Sequence, residues 1–198
     1  ATQLGFLVCC AAVAGLRYRW LLIVLVLMAM TTHVWLPPSV TDRWEMTRSD
    51  TGELDASAQS RENFWALALD LWKESPIVGI GVGGFRMRNE WHMDTHNVYY
   101  RILCEQGLVG FGIFMFIWWR ILHMCHELWK RATHPFDRHY GFCLLIATLG
   151  LMVVNYFGDR YTHLAMIGHY WVLVGMAARL HANMTGVDPF DDATEGDL

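Results

Sequence analysis

The chain has 198 residues, 54% of them hydrophobic and 17% charged, an apolar balance for a soluble domain of this size. Its net charge of −4 supplies no basic surface, so no nucleic-acid partner is expected. The five cysteines show no C-x-x-C or other metal-type spacing and lie mostly in apolar runs, so neither a disulfide framework nor a metal centre is expected.

The apolar residues come in blocks, at 1–16, 20–36, 107–124, 140–157 and 164–180. A helix needs roughly 20 predominantly apolar residues to cross a bilayer, and soluble core helices rarely come as a series of such runs. The chain opens on Ala1 and its first block is short, so it reads as a fragment starting inside a span, with further spans upstream. No basic segment precedes that block and no cleavage-like stretch follows it, which argues against a signal peptide. The expected fold class is all-α: a polytopic transmembrane helical protein of about five spans, because a lone helix satisfies its own backbone groups in lipid.

The short connections set the orientation. Arg17 and Arg19 separate the first two blocks, Lys130, Arg131 and Arg138 the third and fourth, and Arg179 ends the fifth. The positive-inside rule puts these ends in the cytoplasm, while a long loop translocates largely regardless of its charge. The resulting division is two spans in 1–36, a periplasmic catalytic loop in 37–106, three spans in 107–180 and a cytoplasmic tail in 181–198, acidic from Asp188 to Asp197.

Within the loop, Pro37-Pro38 breaks the preceding helix, and residues 41–59 are polar and turn-rich. Ser60 reads as an N-cap, followed by Phe64, Leu67, Leu71 and Trp72 at helical spacing until Pro76. This amphipathic helix lies on the membrane surface or on the protein's outer face. Gly79, Gly81 and Gly83 then read as a tight turn rather than a phosphate cradle, since no strand precedes them. A second helix opens near residues 94–97 and runs through Tyr99, Tyr100 and Leu103 to Gly107.

Four segments follow one another between two spans: Arg61-Glu-Asn-Phe-Trp, Ser75-Pro76-Ile77-Val78-Gly79-Ile80-Gly81, Thr95-His96-Asn97-Val98-Tyr99-Tyr100 and Glu105-Gln106-Gly107-Leu108-Val109-Gly110. Together, over roughly Ser60 to Phe111, they resemble the O-antigen ligase/polymerase family. The resemblance implies a metal-independent, inverting glycosyltransferase of the bacterial inner membrane, without a cofactor and with its site facing the periplasm. Such enzymes pass a glycan from a polyprenyl pyrophosphate carrier to an acceptor hydroxyl: lipid A–core for ligases, a growing glycan for polymerases, a protein side chain for O-oligosaccharyltransferases. It also implies a further phosphate-binding arginine upstream of the loop, which would precede Ala1.

The residues suit that reaction independently of the resemblance. Charge develops on a phosphate oxygen as a sugar leaves pyrophosphate, and the Arg61 guanidinium is shaped to hold it. A sugar hydroxyl attacks well only when a base takes its proton, and His96 is the candidate base or substrate-positioning group. The alternative for His96 is a helix-start histidine bonded to Asp94 or a backbone carbonyl. Asn97 either caps its helix or holds the acceptor, and Glu105 either pairs with Arg101 or serves Arg61 or His96. Tyr99 either stacks on sugar or packs its helix, and Arg160 either meets the carrier's phosphates or pairs with Asp159. His92, four residues from His96, has no third ligand at suitable spacing. The rival from another class, a fragment of a glycolipid transporter, would place its polar residues inside the spans near the midplane, whereas here they gather in the loop.

Overall fold

The computed structural model describes residues 2–16, 20, 23, 56–158 and 163–186. Arg17 and Arg19, most of the expected second span, the first part of the loop, the Asp159-Arg160 pair and the acidic tail lie outside the described residues. Among the described residues the fold is all-helical: α1 (Thr2–Leu16), α2 (Ala56–Glu74), the short α3 (Gly84–Arg88), α4 (Val98–Arg131), α5 (Pro135–Tyr156) and α6 (Leu164–Thr185).

Two of these, α4 and α5, are long and apolar enough to cross a membrane, and α1 carries a shorter apolar stretch, Phe6–Leu16. The 22-residue α6 has the length of a span but includes His169, Arg179 and His181. His134 caps α5 by accepting from the Phe136 N–H, and Pro135 occupies the first turn, where its missing N–H costs nothing. α4 and α5 cross closely at Gly141, where a Cβ would come within 2.6 Å of the Leu128 Cβ. Such small residues let helices approach where the hydrophobic effect cannot press them together. The Tyr140 hydroxyl donates to the Leu173 carbonyl at 2.9 Å, and Thr148 meets the Tyr170 hydroxyl at 3.1 Å, tying α6 to α5. Phe114, Trp118, Leu128, Leu145 and Ala177 are among the buried residues between these helices, and α1 packs on α5 through Cys9, Ala12 and Val13.

α2 begins at Ala56, so Ser60 sits within the helix rather than at its N-cap. The preceding Ala-Ser-Ala-Gln has no helix breaker, and ordinary propensity extends the helix past the expected start. The apolar stripe of α2 settles the choice left open by its periodicity. Phe64 and Ala68 are buried against Phe85 and Cys104, with Leu67, Leu71 and Tyr100 packed around them. The stripe is therefore covered by protein.

α4 is two helices joined at Gly107, whose φ of 65° and ψ of −165° break the helix. Such a break frees carbonyls on one side and N–H groups on the other, which are costly to leave unpaired away from water. The turn after α2 satisfies both sets. Ile80 and Gly81 N–H donate to the Cys104 and Glu105 carbonyls at 3.0 and 2.9 Å, while Leu108 and Val109 N–H donate to the Pro76 and Ile77 carbonyls at 2.9 and 3.1 Å. The approach leaves no room for side chains: a Cβ on Gly79 would lie 2.3 Å from the Glu105 backbone, and one on Gly107 2.4 Å from the Ile77 oxygen. The Pro-x-x-Gly-x-Gly and Glu-x-Gly-Leu-x-Gly segments are thus two halves of one backbone interlock. The glycines form a turn, as expected, and its N–H groups are directed at α4.

Candidate active site

Beyond the interlock the chain runs through residues 89–97 before entering α4, and Asn89 organises this loop. Asn89 is buried, its side-chain amide donates to the Phe85 and Met93 carbonyls at 2.8 and 2.9 Å, and its oxygen accepts from the Met93 N–H at 3.1 Å. Arg86 donates from Nε to the His92 carbonyl at 2.9 Å, and the His92 ring contacts the Arg86 carbonyl at 3.1 Å, so His92 belongs to the loop's scaffold. An Arg88–Glu74 ion pair ties the end of α2 to α3.

His96 follows between two buried anchors. Thr95 is held through its carbonyl by the Trp65 indole N–H at 3.1 Å, and its hydroxyl donates to the Asn97 carbonyl at 2.7 Å. Asn97 caps α4, its side-chain oxygen accepting from Tyr99 N–H at 2.9 Å and Tyr100 N–H at 3.3 Å. Its amide nitrogen is buried without a hydrogen-bond partner. With both neighbours fixed, His96 takes a left-handed φ of 54°, a placement that costs on the order of 1–3 kcal/mol and persists only where the surroundings over-determine it. The ring is half-buried, with its centroid 6.3 Å from that of Phe64.

Arg61, Asn63, Phe64, Trp91, Met93, His96 and Phe157 line a cleft of about 450 Å³. α2 supplies the first three, the 89–97 loop the next three, and the end of α5 supplies Phe157. Arg61 and Phe64 are one helical turn apart and so face the same way. Among the described residues neither the Arg61 guanidinium nor the His96 imidazole has a hydrogen-bond or ion-pair partner, and no carboxylate lines the cleft. The alternative that His96 bonds Asp94 or a backbone carbonyl is not what the structure shows. The Trp91 ring stands edge-to-face with Phe64 at 5.7 Å and is 63% exposed, so the walls are apolar and aromatic.

The structure brings Arg61 and His96 to one cleft, whose described lining includes none of the other candidates. Tyr99 does not line the cleft; its hydroxyl donates to the Met152 carbonyl at 2.8 Å and its ring packs by Phe114 and Tyr156. Glu105 is 6% exposed beside the interlock that uses its backbone oxygen. Arg160 lies outside the described residues, close in sequence to Phe157. Sequence reasoning missed Phe64, Trp91, Met93 and Phe157 as cleft walls and Asn89 and Trp65 as supports. The Trp65 signal was present in the Arg61–Trp65 segment, while the others become neighbours only through the fold.

Among the described residues, these features define an all-helical protein with two helices long and apolar enough to cross a membrane and an arginine and a histidine in a cleft at one end of them. A family model described as O-antigen ligase matches residues 1–115, which takes in the whole interlock and all of the cleft except Phe157. The chain belongs to the O-antigen ligase family, and with it to the enzymes that transfer glycans at membranes. Neither the comparison with curated proteins nor that with solved structures gives a match.

Proposed function

We propose that the chain belongs to an inner-membrane glycosyltransferase that moves a glycan from a polyprenyl pyrophosphate carrier to a hydroxyl of lipid A–core. The supporting observation is that Arg61 and His96 share one cleft and that, among the described residues, neither has a hydrogen-bond or ion-pair partner. Two unpartnered groups of complementary chemistry, an anion holder and a base, suit a displacement at a sugar carbon. Arg61 holds pyrophosphate oxygens through its planar fork. His96 takes the acceptor's proton through a ring nitrogen as the hydroxyl oxygen bonds to the sugar carbon. The bond from that carbon to the pyrophosphate oxygen breaks on the opposite face, and the leaving group departs with the electron pair. A single displacement of this kind inverts the anomeric centre and uses no metal.

The remaining candidates take graded parts in this proposal. Asn97 acts mainly by fixing His96, with its amide nitrogen as the group left for an acceptor. Glu105 and Tyr99 act on substrate through the positions they hold, since Tyr99 engages its hydroxyl inside the fold. Arg160 adds a second cation for the carrier's phosphates. The cleft faces the periplasm, and the Lys130–Arg131 end of α4 faces the cytoplasm, in a five-span arrangement.

The test is transfer by the full-length protein, in membranes, from a polyprenyl pyrophosphate-linked glycan to purified lipid A–core with a chelator present. Transfer with inverted anomeric configuration is expected. Transfer only to glycan ends, or only to a pilin-type protein, makes it a polymerase or a protein O-oligosaccharyltransferase; dependence on a divalent metal overturns the metal-free mechanism.

A further inference from the structure

The turn joining α2 to α4 presents apolar side chains outward: Ile77 is 64% exposed, Val78 68%, Val82 82% and Met87 80%. Single exposed apolar residues are ordinary, but contiguous ones mark a contact surface. Here they continue a surface that already belongs to a candidate span. Leu108, Val109, Ile113 and Phe116 are also exposed, and their spacing puts them on one face of α4. The two surfaces meet at a fixed joint, because the Pro76 and Ile77 carbonyls accept the Leu108 and Val109 N–H groups. Ile77 and Val78 are therefore held beside the first turn of that face. The Gly79–Gly107 backbone contact, where no Cβ fits, keeps the turn from swinging away. On α2, by contrast, the apolar stripe is covered by Phe85 and Cys104.

We infer that the 76–87 turn is a membrane wedge, with Ile77, Val78 and Val82 set into the hydrocarbon boundary of the leaflet at the cleft end. Its partner is lipid acyl chain, the medium that the exposed face of α4 meets. The buried stripe leaves α2 outside the hydrocarbon with its polar face toward water, and the rigid joint fixes the height of the Arg61–His96 cleft at the headgroup level. A substrate whose lipid tail stays in the bilayer would thus present its polar head at the cleft's depth.

The test uses the full-length enzyme in lipid nanodiscs, with native cysteines replaced and a single cysteine at Val82 carrying an environment-sensitive fluorophore. Asp70→Cys, on the exposed side of α2, serves as the comparison. Lipids with a nitroxide high on the acyl chain are expected to quench most of the Val82 signal and little of the Asp70 signal, with aqueous iodide giving the reverse order. Iodide quenching at Val82 as strong as at Asp70 places the turn in water and overturns the wedge. Protection from both quenchers overturns it as well, since the patch is then covered by protein. The readout needs no transfer activity, so it stands or falls apart from the catalytic reading.

Discussion

The cleft of about 450 Å³ beside the start of α4 and the cavity of about 180 Å³ near its end are both lined by arginine and histidine. In the second, the groups answer one another. The Glu127 carboxylate receives His181 at 2.9 Å, Arg131 at 2.7 Å and His123 at 3.4 Å, and the His181 contact ties α6 to α4. In the first, Arg61 and His96 line a space with no carboxylate among its described residues. A cation beside a carboxylate is already satisfied and reads as architecture. A cation and a base without a hydrogen-bond or ion-pair partner among the described residues, the base on a left-handed backbone, read as a site awaiting a charged ligand.

The largest effect expected from this contrast is at His96. Among the described residues its ring makes one aromatic contact, with Phe64, and no hydrogen bond, so its removal is expected to leave the protein folded. His96→Asn is the cleanest variant, because asparagine tolerates the left-handed backbone that alanine would strain. Transfer is expected to fall by roughly a hundredfold to ten-thousandfold, the range for losing a positioned base, with membrane insertion unchanged. His92→Asn, assayed beside it on a backbone that is also left-handed, tests the loop without touching the cleft. Loss in His96→Asn that is no greater than in His92→Asn would mean that His96 is only part of the scaffold.

Arg61→Lys comes next. Lysine keeps the charge but lacks the fork that holds two phosphate oxygens at once. A loss of about tenfold to a thousandfold is expected, as for one removed charge-stabilising donor, and it should appear in full-length enzyme at matched expression. Activity near that of the parent would show that Arg61 acts as a diffuse charge, which would bring the two cavities closer in kind.

How much of this the sequence showed depends on the range of each interaction. The helices from Val98 onward were legible because apolar blocks report span length directly, and the break at Gly107 was visible as a glycine before an apolar run. Arg61 and His96 were legible by chemistry, as residue types suited to phosphate and hydroxyl, and by the order of their segments. The interlock was not. Nothing in local periodicity says that the carbonyls of Cys104 and Glu105 are answered by Ile80 and Gly81, since that pairing joins segments some two dozen residues apart. The aromatic wall was hidden for the same reason, as Phe64, Trp91 and Phe157 meet only when three elements converge. Glu127 carried no expectation from the sequence, since its role depends on His181, which lies on another helix.

Glu127→Gln is the smallest effect and the sharpest check on whether the two ends are independent. The substitution keeps the side chain's size and some hydrogen bonding but removes the charge that Arg131 and the His123 and His181 rings share. Arg131 is 73% exposed and His123 47%, so solvent screens their pairing with Glu127 and both contribute little. The His181 contact is less exposed, at 23% against 17% for Glu127, and it bridges helices, so most of the loss falls there. A destabilisation of about 1 kcal/mol is expected, the scale of one net hydrogen bond, read as a modest fall in the thermal unfolding midpoint in detergent. Transfer per folded molecule should stay at the parent level, because no cleft residue touches this cluster. If Glu127→Gln lowers transfer as deeply as His96→Asn while the protein stays folded, the far cavity acts on the chemistry, and the division between an architectural end and a reactive end fails.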